Sequence, residues 1–200
     1  GINVAASCPL NASVVQMAAS YDGRLVAVAC TDGSLHCFDA TAASLTPRWT
    51  ASKAHSHIVS SPSSAPSSDR SHAGAASGPV RSLAFAPGGY ELLLVDDTRL
   101  AIYNAATSSP TVLQSLSNIS SATWSTARKG SGVLLAVGKT DGSIDICSYE
   151  DSKLESVSPL GCPSEEDGFS CTHLDWNDDT LVAGLCRVIP SDEEPDEDDE

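Results

Sequence analysis

Few residues of this 200-residue chain have types and spacings suited to chemistry. Gly138-Lys139-Thr140 has the closing residues of a phosphate-binding loop, in which backbone amides and a lysine cradle phosphates when a glycine stands five residues earlier and a helix follows. Position 133 is Val, the nearest glycine is Gly132, and an Asp141-Gly142 turn follows, so the stretch reads as the end of a strand. His55, His57 and His72 could be drawn as a metal cluster, yet they sit in a Ser-rich segment without Cys, whereas structural zinc needs four ligands in fixed geometry. They read as solvated loop histidines. Asp175, Asn177, Asp178 and Asp179 suggest a calcium loop but lack its sixth-position Gly and twelfth-position Glu, and read as a polar turn between strands.

Nucleophilic catalysis has no better footing. No G-x-S-x-G elbow occurs, and the two histidines in strand-like runs, His36 and His173, have no acid at a spacing that singles them out. A nucleophile, a base and oxyanion donors cannot all be assigned. The sequence therefore reads as a non-enzyme with no catalytic residue, no metal, no cofactor and no small-molecule substrate, and it leaves the partner-binding residues unassigned.

The elements that would position any site come from an internal repeat. One unit starts at Val14 with an alternating strand, continues with the apolar run Leu25–Cys30, turns at Asp32-Gly33 and ends on Leu35–Phe38. A second starts at Val80, with Leu92–Val95 and Leu100–Tyr103. A third starts at Ile119, with a loop expected over 126–132, then Val133–Gly138 and Ile144–Cys147. A fourth starts at Cys171 and reaches Leu181–Gly184. Outer strands are expected over Leu45–Thr50, Thr111–Leu116 and Lys153–Ser158. Apolar runs without alternation need cover on both faces, so Val26, Ala27, Val28, Leu93, Leu94, Leu135 and Ala136 are expected to be buried. Four short strands per unit are the signature of a β-propeller blade. Trp124, Trp176 and Phe85 hold the same place in their units, which suits packing between blades.

The fold expected is all-β: a WD-like propeller of about three blades plus part of a fourth, an incomplete ring from a seven-bladed propeller. Its blades run over roughly 14–50, 80–117, 119–160 and 171–188 within a domain spanning 1–188. Residues 52–78, rich in Ser, Pro and Ala, have little to bury and are expected to form a disordered insertion. Residues 189–200 form an acidic tail or loop.

Net charge is −15, from 11 Lys and Arg against 26 Asp and Glu. Eight of those acids fall in 192–200, which leaves −7 for the rest of the chain. Such a balance gives no electrostatic reason to hold a phosphate backbone, so direct nucleic-acid binding is not expected. Apolar runs fall far short of the ~20 residues of a membrane-crossing helix. The 7 cysteines are odd in number and include no CxxC, which suits a reducing compartment. A chain that begins at Gly1 without a signal-like segment is expected to be a piece of a longer protein.

The succession Trp124-Ser125, a Lys/Gly loop, Leu135-Ala136-Val137-Gly138-Lys139-Thr140-Asp141-Gly142-Ser143-Ile144, Pro163, Leu174-Asp175-Trp176 and Leu181-Val182-Ala183-Gly184 resembles the N-terminal β-propeller of the cytoplasmic-face FG nucleoporins. Asp32-Gly33-Ser34-Leu35 and Leu83-Ala84-Phe85 fit earlier blades of that domain. In place of the Trp-Asp closers of regular WD repeats stand Phe38-Asp39, Tyr103-Asn104 and Cys147-Ser148. The resemblance implies a component of the nuclear pore complex at the cytoplasmic face of the nuclear envelope. It also implies a non-catalytic platform for mRNA export that binds a DEAD-box RNA helicase and other nucleoporins. The alternative is a general WD-repeat scaffold or adaptor, such as a substrate receptor of a ubiquitin ligase.

Overall fold

The computed structural model describes residues 7–41, 44–54, 80–116, 118–129, 132–160, 168–177 and 180–187, and among these every regular element is a β-strand. Three antiparallel four-stranded sheets follow one another along the chain. The first holds β1 (Val14–Ala19), β2 (Leu25–Cys30), β3 (Leu35–Ala40) and β4 (Leu45–Ala51). The second holds β5 (Ser82–Phe85), β6 (Glu91–Val95), β7 (Arg99–Asn104) and β8 (Pro110–Ser115). The third holds β9 (Ile119–Lys129), β10 (Gly132–Lys139), β11 (Ile144–Glu150) and β12 (Lys153–Leu160). A two-stranded sheet of β13 (Phe169–Asn177) and β14 (Thr180–Arg187) comes last. Strand order within each sheet equals chain order, as hairpin connections dictate.

The sheets pack face to face, with β1 beside β5, β5 beside β9 and β9 beside β13. Side chains alternate across a strand, so a middle sheet serves two cores at once. In the second sheet Leu92, Leu94, Ala101 and Tyr103 pack on Ala27, Ala29 and Leu35 of the first. The residues between them, Leu93, Val95, Leu100 and Ile102, pack on Ile119, Trp124, Leu135 and Val137 of the third. Leu92, Leu93, Val95, Leu100 and Ile102 are all 0 % exposed. Unbroken apolar runs are the sequence form of this two-sided burial.

Of the seven residues expected in the core, six are buried and Val26 is only half-buried. Val26 lies on the face of the first sheet that points away from the second. There, among the described residues, Val28, Cys30 and Phe38 are covered by Cys8, Leu10 and Ala12, where the inward face meets the second sheet. The loop expected over 126–132 is also corrected. The β9–β10 ladder runs on through Val133 opposite Arg128 to Gly132 opposite Lys129, past a register shift between Val133 and Leu135. No Gly or Pro interrupts Ser125–Lys129, so nothing breaks the strand before Gly130. Of the expected insertion 52–78, Ser52–Ala54 close a turn after β4 with Ala54 buried in the first core, and 55–78 lie outside the described residues. Residues 189–200 lie outside them too.

Aromatic side chains tie sheet to sheet. Trp49 of β4 stacks on Tyr103 with ring centroids 5.9 Å apart, and its Nε1 donates to the Ala105 carbonyl of the second sheet at 2.8 Å. Trp124 of β9 meets Tyr149 edge-on at 5.7 Å and donates to the Ala84 carbonyl of β5 at 3.2 Å. Both indoles thus fill a core and satisfy a carbonyl of the neighbouring sheet, as buried tryptophans tend to do.

Gly138 marks the closest approach of the third and fourth sheets. A β-carbon there would stand 2.5 Å from Cys171 Sγ and 3.1 Å from Leu174 Cδ1. Gly138→Ala is therefore expected to destabilise by about 1–3 kcal/mol through overpacking. Removing the offending sulfur in Gly138→Ala/Cys171→Ala should recover part of that loss. Urea titration of the four proteins of this cycle checks it: additive losses would mean that the two residues do not meet.

Candidate functional site

Each tight β2–β3 type hairpin carries the same polar lock. At the first, Asp32 Oδ1 accepts from the backbone N–H of Ser34 at 2.9 Å and from its hydroxyl at 2.6 Å, while Gly33 supplies a φ of +82°. At the third, Asp141 Oδ1 accepts from the Ser143 N–H at 2.9 Å and hydroxyl at 2.6 Å, and Gly142 has a φ of +80°. At the second, Asp96 Oδ1 accepts from the Thr98 N–H at 2.9 Å and hydroxyl at 3.0 Å. These are Asx turns, in which a short carboxylate satisfies the donors that the turn leaves open. The Ser143 hydroxyl and N–H hold the Asp141 carboxyl below the usual carboxylate range, and Ser34 does the same to Asp32.

His36 of β3 extends the first lock, with Nε2 2.9 Å from Ser34 Oγ and Nδ1 2.9 Å from Thr50 Oγ1 of β4. Asp32, Ser34 and His36 together are residue types of a hydrolase triad, and sequence spacing gave no hint of their convergence. The order of the bonds excludes that chemistry. The Ser34 hydroxyl donates to Asp32, so Ser34 Oγ is left to accept from His36 Nε2, while Nδ1 pairs with the Thr50 hydroxyl. A nucleophile must instead give its proton to the imidazole. Ser34 is also buried, beyond the reach of a substrate. This chain of bonds ties the turn to the outer strand.

The other candidates disperse. His173 is exposed on β13, in a different sheet from His36. Lys139 pairs with Asp145 across the β10–β11 hairpin at 2.9 Å, and that bond raises its pKa. Asp175 accepts from the adjacent Trp176 N–H at 2.9 Å. His55, His57, His72, Asp178 and Asp179 lie outside the described residues. Trp124 is buried between sheets, whereas Phe85 and Trp176 are half-buried. Buried cysteines are inert: desolvation pushes the Cys37 thiol up to about 11 and raises Cys171 as well.

Sequence reasoning missed one concave surface. At the end of the sheets opposite the Asx turns, a groove of about 550 Å³ opens between the first and second blades, lined by Arg24, Asp39, Arg48, Gly88, Gly89, Tyr90, Glu91 and Asn104 among others. Strand ends set its walls: Arg24 precedes β2, Asp39 and Arg48 face each other across β3 and β4, and Tyr90 and Glu91 open β6. Arg48 Nη1 donates to Asp39 Oδ1 at 2.7 Å. Beside the groove, Asp22 accepts from the Ser20 hydroxyl at 2.7 Å, the Arg24 N–H at 3.1 Å and, across the blade boundary, the Tyr90 hydroxyl at 2.7 Å. Its pKa is consequently lowered to about 2, first by Ser20 and then by Tyr90. Arg24 itself is left 79 % exposed, with Nε 3.6 Å from Asp22 Oδ2. No sequence periodicity marks these residues, because they come together only when two blades dock.

No family model matches the chain, and no curated protein matches it. Among solved structures it is similar to the WD40 domain of SCAP from fission yeast, at 17% identity and a TM-score of 0.54, over 82% of this chain and 36% of that one. It is also similar to Saccharomyces cerevisiae Sqt1, at 15% identity and a TM-score of 0.57, over 82% of this chain and 38% of that one. The fold is that of a WD40-like β-propeller, of which this chain forms a part. It spans little more than a third of the length of the structures it matches.

Carboxylates held low in the folded state contribute stability that is present above their unfolded value near 4 and is lost as pH falls through the folded one. With Asp22, Asp32 and Asp141 all lowered, the urea midpoint is expected to stay level from pH 7 to about 5 and to decline below about 4, toward pH 2. Asp22→Asn should shallow that decline. An unchanged slope in the variant would mean that the Ser20 and Tyr90 hydroxyls do not stabilise the carboxylate.

Proposed function

We propose that this chain belongs to a non-catalytic protein-docking platform and that the groove between its first two blades is a docking surface. The groove itself carries the reading. Tyr90, Arg24 and Arg48 line it, and Tyr21 stands 87% exposed on the β1–β2 turn next to it. Tyrosine and arginine are the side chains over-represented where binding energy concentrates, and here they project from strand ends that packing holds rigid. The bonding at Ser34 agrees with this reading, since its hydroxyl donates to Asp32 and not to a base that would activate it.

Within this class we assign the platform to the cytoplasmic face of the nuclear pore, as a part of an FG nucleoporin propeller that binds a DEAD-box RNA helicase during mRNA export. Its support is the series of residues from Trp124 to Gly184 and the degenerate closers Phe38-Asp39, Tyr103-Asn104 and Cys147-Ser148. The acidic balance suits a basic patch on the partner and steers its approach.

Tagged full-length protein is expected at the nuclear envelope, and affinity capture should recover a DEAD-box helicase. Recovery should fall as salt rises, because exposed charge pairs are screened over ~8–10 Å near physiological ionic strength. A diffuse cytosolic signal with no helicase captured at low or high salt would sink the nucleoporin assignment in favour of a general scaffold, such as a ubiquitin-ligase substrate receptor.

A further inference from the structure

Hydrogen-bonding capacity in the groove is unevenly spent. The Asp22 carboxylate at its lip accepts from Ser20, Arg24 N–H and Tyr90, and Asp39 accepts from Arg48 at 2.7 Å. These two acids are occupied by neighbours of their own fold. The arginines pair with these same acids but keep donors over. Arg48 commits one Nη to Asp39 and is 38% exposed; Arg24 keeps its guanidinium at 3.6 Å from a carboxylate that other donors already hold. Two planar forks on one concave wall, with donors to spare, match the geometry of a carboxylate, which arginine binds bidentately. Glu91 lines the same groove and makes no ion pair among the described residues.

We propose that the groove between the first and second blades seats an extended segment of a partner protein through an acidic side chain held by Arg24 and Arg48. This rests on the docking-platform reading and narrows it to one surface and one ligand chemistry. The specificity is local: with a net charge of −15 the chain as a whole repels acidic peptides, so only a short-range contact of this kind selects them. Such a contact should also outlast added salt better than the steering of a basic partner, because salt weakens the repulsion along with the attraction.

The test uses the full chain and a fluorescein-labelled nonapeptide, Gly-Ser-Glu-Ser-Asp-Ser-Glu-Ser-Gly, beside a twin with Gln and Asn in place of its acids, read by fluorescence anisotropy. The acidic peptide is expected to bind on the order of tenfold more tightly than its twin, the scale of a charge-assisted contact. Arg24→Glu should abolish that preference, and Glu91→Gln should keep or strengthen it. Arg81→Glu is the control for net charge, because Arg81 pairs with Asp97 at the other end of the second blade. Equal affinity for the two peptides, an unaffected Arg24→Glu protein, or an equal loss in Arg81→Glu would each overturn the proposal. Partner capture by the full-length protein that survives Arg24→Glu would refute this groove chemistry while leaving the docking-platform reading intact.

Discussion

The middle blades are sheets that are apolar on both faces, and no such sheet is stable alone. The alternation of side chains along β6 and β7 sends Leu92, Leu94, Ala101 and Tyr103 one way and Leu93, Val95, Leu100 and Ile102 the other, so the second blade is complete only between two neighbours. This mutual dependence organises the rest of the molecule. It explains the indoles of Trp49 and Trp124 that reach carbonyls of the next sheet, and the absence of a side chain at Gly138 where two sheets close up. The groove beside Tyr90 exists for the same reason: packing brings the strand interiors together, while the strand ends splay apart.

The two ends of the blades use their polar residues differently. At one end of the blades the Asx turns consume their own donors and acceptors locally, which keeps the hairpins tight without any need for a partner. At the other end, bonds cross between blades: Tyr90 reaches Asp22 and leaves arginines turned outward. One end is tied within each hairpin and the other between blades.

Much of the architecture is legible in the sequence. Runs such as Leu92–Val95 and Val133–Gly138 announce two-sided burial, and the Asp-Gly pairs at 32/33 and 141/142 announce hairpins. Both are local signals, written within a few neighbouring residues. What escaped was non-local. Val26 has the same apolar neighbours in sequence as Val28 and shares its face of the sheet, yet stays half-buried where Val28 is buried, a difference no local signal carries. The hydroxyl bridge from Asp32 to His36 depends on strand pairing that places Thr50 opposite His36. Arg24, Arg48 and Tyr90 come from three separate stretches and share a wall only after two blades dock.

The uneven cover of the blades also has a kinetic side. The second blade is sandwiched between full sheets, whereas among the described residues the outward face of the first meets Cys8, Leu10 and Ala12, and β14 is largely exposed. When neighbouring units supply each other's cohesion, disassembly starts where the cover is thinnest and the interior unit opens last. Backbone amides around Leu93 and Ile102 would then exchange with deuterated water only in the rarest and largest openings, while those of β14, most of whose side chains are exposed, exchange in smaller, more frequent ones. Arg24 and Arg48 stand on the first blade and Tyr90 on the second, so a molecule held across the groove would tie the interior unit to its neighbour and slow the opening between them.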